Sequence, residues 1–136
     1  MNIGAIDWPS NSKAAIELYL NFLIKVIKAN NIRFPNKFQD PIDITNGYLE
    51  GNIPVDIYRE SANEWWNYID SSGQIQEFSN SDALVARVAI CLLSVTDEDV
   101  PELGEHLSWF FEVLENLGID LDSPIEQMCE YFPFKK

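Results

Sequence analysis

An all-α single domain of about five helices spanning residues 1–136 is predicted by three observations. The chain has 136 residues, the size of one domain, and 46% of them are hydrophobic, enough for a packed core and too many for a disordered acidic tail. Apolar residues recur with helical period over most of its length. Caps and breakers, Ser, Asn, Asp, Gly and Pro, separate those stretches.

The first helix runs from Lys13 to Ala29. Ile16, Leu18, Tyr19, Leu20, Phe22, Leu23, Ile24, Val26 and Ile27 cover most of its circumference and leave a polar strip of Glu17, Asn21, Lys25 and Lys28. Such a helix must be surrounded by others. Ser12 or Ser10 is its expected cap, and Asn30-Asn31 its stop. The prolines of Phe34-Pro35-Asn36-Lys37-Phe38-Gln39-Asp40-Pro41 predict a loop pinned by its two Phe. Residues 42–50 alternate briefly around Asn46-Gly47, which predicts a short β-hairpin or a turn.

Pro54 suits the first turn of a second helix, from Val55 to Ile69. Its predicted buried arc is Val55, Tyr58, Ala62, Trp65, Trp66 and Ile69, opposite Asp56, Glu60, Asn63, Glu64 and Asn67. Ser79-Asn80-Ser81-Asp82 supplies caps for a third helix, Asp82 to Val95, apolar nearly all round and therefore central. Arg87 is the only charge inside it, which predicts a buried Arg paired with a carboxylate on another helix. A fourth helix starts at Thr96-Asp97-Glu98-Asp99, with its acids at the positive end of the helix dipole. Its stripe is Leu103, Leu107, Phe110, Phe111, Leu114 and Leu117, and Gly118 stops it. Ser123-Pro124-Ile125-Glu126 predicts a short fifth helix through Tyr131, opened by a capping box.

Catalytic signatures are sparse. The single histidine, His106, excludes a two-His metal site, and Leu103 occupies the place three residues before it where a Glu-x-x-His ligand pair needs an acid. His106 reads as a half-exposed helix histidine. Cys91 and Cys129 read as buried reduced thiols. Asp120 to Glu126 lacks the glycine and glutamate spacing of a calcium loop. No phosphate loop, nucleophile elbow or zinc-protease motif occurs. The expectation is a non-enzyme without metal or cofactor.

Charge is the strongest non-random feature. The net charge is −13 with a pI near 4.2, which opposes direct binding to nucleic acid. Met1 to Lys37 carries a balance of +3, whereas Phe38 to Phe134 carries −18. Asp97 to Glu130 holds eleven acids and no base. On the fourth helix Glu102, Glu105, Glu112 and Glu115 lie away from the apolar stripe, with Trp109 among them. An aromatic residue within an acidic surface fits a protein-binding hot spot for a basic partner. The start of the chain lacks the basic and apolar stretches of a signal peptide, and no stretch is long enough to span a bilayer, so a cytoplasmic protein with no membrane contact is expected.

In its size, acidity and Trp-containing acidic surface (Asp97, Glu98, Asp99, Glu102, Glu105, Trp109 and Glu112), the chain resembles the small cytoplasmic immunity proteins encoded beside bacterial polymorphic or contact-dependent toxins. The resemblance implies that it binds one cognate toxin domain, often a basic nuclease, and blocks its active site or substrate surface. Two other readings accompany it: an acidic regulator or adaptor that binds a basic host protein, and an enzyme whose pocket gathers Arg87, His106 and acids.

Overall fold

The computed structural model describes residues 3–72 and 81–135, and they form an all-α bundle of six helices. These are α1 (Ser12–Ala29), α2 (Pro41–Leu49), α3 (Val55–Ser72), α4 (Ser81–Leu93), α5 (Leu103–Asn116) and α6 (Asp122–Tyr131). A 3₁₀ segment, Asp97–Glu102, leads directly into α5. Ser79 and Asn80, two of the residues expected to cap α4, lie outside the described residues.

The two helices with apolar residues nearly all round are the centre. Every residue of α4 from Ala86 to Leu93 is buried, and α4 packs against α1, α2, α3 and α5. Helix α1 buries nine residues, including Tyr19, Phe22 and Ile27, and packs against α2, α4, α6 and the 3₁₀ segment. Its polar strip Glu17, Asn21, Lys25 and Lys28 is exposed. The cap is Asn11, whose side chain accepts the Ala14 N–H at 3.0 Å, in place of Ser10 or Ser12. Asn31 takes φ +54° at the stop, a conformation Asn tolerates better than most residues.

The sixth helix is the correction to the predicted hairpin or turn over 42–50. Asp40 accepts the Ile42 N–H at 2.9 Å and Pro41 fills the first turn, so this stretch carries a helix start. Gly47 does not make a turn; it makes room. A Cβ there would stand 2.5 Å from Ile53 Cδ1. The reversal comes after the helix, at Gly51 with φ +80°, where the Asn52 N–H returns to the Gly47 carbonyl at 2.8 Å.

That helix, with α3, also closes the end of α4. The last carbonyls of a helix have no partner within it. Tyr58 of α3 donates its hydroxyl hydrogen to the Leu92 carbonyl at 2.6 Å and accepts the Val95 N–H at 3.1 Å. Thr45 of α2 donates to the same Leu92 carbonyl at 3.3 Å, and Tyr48 to the Val95 carbonyl at 3.4 Å. The Tyr48 and Tyr58 rings stack 3.9 Å apart. Burial pushes the Tyr58 phenol well above its usual range, against the lowering effect of the Val95 N–H, so it remains a donor.

On α3, Tyr58, Ala62, Trp65 and Ile69 are buried as expected, Trp66 is half-buried, and Val55, at 38% exposure, lies on the surface. Val55 opens the helix, three residues before Tyr58, whose hydroxyl meets the end of α4. Arg87 is buried, with its guanidinium 5.5 Å from the Trp66 ring centre, a cation–π arrangement. Cys91 is buried and its thiol is raised by desolvation, while Cys129 is exposed, contrary to expectation. Pro124 and Met128 set the buried face of α6, and Cys129 falls outside it. Helix α6 starts at Asp122 without the expected capping box; the Asp120 carboxylate accepts the Asp122 N–H at 3.0 Å. The two ends of the chain clasp through the Asp7 N–H on the Pro133 carbonyl (2.8 Å) and the Lys135 N–H on the Ala5 carbonyl (2.7 Å).

Candidate partner-binding face

The acidic face is built from the junction of the 3₁₀ segment with α5. Three acids in the first turn and Pro101 favour a short tight helix, and Asp99 secures its start by accepting the Thr96 N–H at 2.8 Å and the Thr96 hydroxyl at 3.3 Å. Helix α5 then buries Leu103, Leu107, Phe110, Phe111, Val113 and Leu114. Fixing that stripe against the core turns Glu102, Glu105 and Glu112 to solvent, where all three are exposed. Residues 102, 105, 109 and 112 follow one another at spacings of three and four, so they share one face.

Trp109 is half-buried and packs against the core edge. It lines a cleft of about 290 Å³ with Glu102, Glu105 and His106. Glu112 stands one turn further along and does not line it. Asp97 and Glu98 are exposed and belong to a neighbouring cleft with Tyr48, Val55, Arg59 and Thr96. Arg59 reaches Glu98 at 4.0 Å and donates to the Thr96 hydroxyl at 3.3 Å. The ion pair is exposed on both sides, so its contribution to stability is small. Burial, followed by the Asp97 carboxylate, raises the Tyr48 phenol, with Arg59 opposing.

The seven residues singled out by sequence therefore divide. Glu102, Glu105 and Trp109 converge on one cleft, Asp97 and Glu98 on another, Glu112 extends the first, and Asp99 gives its Oδ2 to the Thr96 cap. Arg87 is not among the residues that line the cleft with His106; it lies on α4 with its guanidinium over the Trp66 ring. The sequence reading also missed a grouping. His106 Nε2 lies 3.5 Å from Asp99 Oδ1, and Glu102 completes a set of three. The readable signal was the spacing of Asp99, Glu102 and His106 by three and four residues, which places all three on one helix face.

No helix among the described residues is long and apolar enough to cross a membrane. No protein-family model, no curated protein and no solved structure matches this chain.

Proposed function

We propose that this is a cytoplasmic immunity-type protein that binds and neutralises a cognate basic toxin domain through the acidic face of α5. The observation that carries the reading is Trp109, half-buried in a cleft walled by Glu102 and Glu105 and continued by Glu112. A ring already held against the core loses little freedom on binding, while its open side offers apolar area to a partner. The carboxylates around it attract a basic surface and speed its approach.

Affinity capture from the native cell with mass spectrometry identifies the partner. Binding kinetics with that purified partner then test the face. A basic toxin whose activity is lost on stoichiometric addition of this protein supports the proposal. A basic partner without toxic activity supports the adaptor reading instead. Unchanged association and dissociation rates for both Trp109→Ala and the Glu102→Lys/Glu105→Lys/Glu112→Lys variant would remove this face from the interface.

A further inference from the structure

We propose that Asp99, Glu102 and His106 form a binding site for one borderline divalent transition-metal ion of the Zn²⁺ type. Each residue offers one ligand atom, and the three atoms lie within 4.8 Å of one another. The separation of His106 Nε2 from Asp99 Oδ1, 3.5 Å, is the informative distance. It exceeds the roughly 2.7–2.9 Å of a charge-assisted hydrogen bond. It matches the edge of a tetrahedron whose centre lies about 2.1 Å from each ligand, roughly 3.4 Å. The spacing, which is also that of a His–Asp ion pair, lets both atoms ligate one ion. Glu102, exposed and four residues before His106, closes the third position by a change of side-chain rotamer.

The set is oriented. Both hydrogen bonds from Thr96 fall on Asp99 Oδ2, which leaves Oδ1 toward His106. Such outer hydrogen bonds fix the direction of a ligating carboxylate. His106 and Asp99 are half-buried, so both start from restricted positions. The imidazole distinguishes this set from the remaining acids on the surface, because a nitrogen donor selects borderline transition metals over Mg²⁺ and Ca²⁺, which take oxygen ligands. Two carboxylates and a neutral imidazole match a dication in charge. Three protein ligands leave a further coordination position for water, and Glu102 and His106 also wall the cleft that contains Glu105 and Trp109.

The test uses the full chain, freed of metal by a chelator and dialysed, without any partner, so its result is independent of the toxin-binding reading. Isothermal titration with ZnCl₂ is expected to show one saturable site. His106→Ala and Glu102→Gln should each weaken it by about 10-fold or more, with folding checked by circular dichroism. Glu17→Gln and Glu64→Gln, on the exposed sides of α1 and α3, should leave it unchanged, and excess MgCl₂ should not compete. A second readout needs no substitution: His106 is the only histidine, so its ring resonances report directly, and they should move to a new position and saturate at one equivalent of Zn²⁺. Unmoved ring resonances, no saturable heat up to millimolar Zn²⁺, or binding that survives His106→Ala in a folded protein would each overturn the site.

Discussion

Tyr58→Phe tests whether the end of the central helix is held from outside its own sequence. The substitution keeps the ring, and with it the stack on Tyr48 at 3.9 Å, and removes one oxygen. That oxygen serves two orphaned groups at the end of α4, the Leu92 carbonyl at 2.6 Å and the Val95 N–H at 3.1 Å. Leu92 keeps a second donor, the Thr45 hydroxyl at 3.3 Å, so its loss is that of an ordinary hydrogen bond, about 1 kcal/mol. The Val95 N–H is left buried without that acceptor, a desolvation cost of about 1–3 kcal/mol. Together these give a destabilisation of about 2.5 kcal/mol, or a fall in Tm of roughly 10 °C for a domain of this size. Thr45→Val alone should cost about 1 kcal/mol, because Tyr58 still serves Leu92. The double variant should cost about 1 kcal/mol more than the sum, since the Leu92 carbonyl then loses both donors. Urea unfolding followed by circular dichroism measures all four proteins, and an unchanged m-value licenses the comparison. A loss below about 0.5 kcal/mol for Tyr58→Phe, or additivity of the two changes, would refute this account of the helix end.

Gly47→Ala should destabilise despite alanine's helix propensity advantage of about 1 kcal/mol, because the new Cβ meets Ile53 Cδ1 at 2.5 Å and Cγ1 at 2.8 Å; Gly47→Ala combined with Ile53→Ala should lose less than the sum of the two single changes in the same urea assay. Folding stability should fall on the alkaline side: Cys91, Tyr19 and Tyr58 are all held above their ordinary values of 9.0 and 10.0 by burial, so the folded chain binds protons more tightly than the unfolded one. This stabilisation is complete below about pH 9 and declines by about 1.4 kcal/mol per pH unit for each group as pH passes its unfolded value; a urea midpoint constant from pH 8 to 11 would contradict it. At the acidic face, Glu102→Lys/Glu105→Lys/Glu112→Lys should slow association with a basic partner and flatten its salt dependence. Trp109→Ala should instead act mainly on dissociation, weakening binding by about 2 kcal/mol.

On α1, α4 and α5 the sequence alone determined which surfaces face inward. On α1 and α4 the apolar residues occupy so much of the circumference that no exposed arrangement is available, and both helices are central. The stripe from Leu103 to Leu114 likewise fixed the outward direction of Glu102, Glu105 and Glu112, because one side of a helix determines the other. Residues 41–49 were decided differently. Asn46-Gly47 favours a turn locally, but Asp40 and Pro41 start a helix, and Ile44 and Thr45 gain burial and a hydrogen bond to α4 only if that helix forms. Tertiary packing outweighs a preference of a few tenths of a kcal/mol per residue. The ring of Trp66 beneath Arg87 and the capping of Leu92 by Tyr58 and Thr45 belong to the same kind. Helical periodicity assigns each residue to a face. Which residues from separate segments meet across that face depends on the crossing of helices, which exists only in the folded chain.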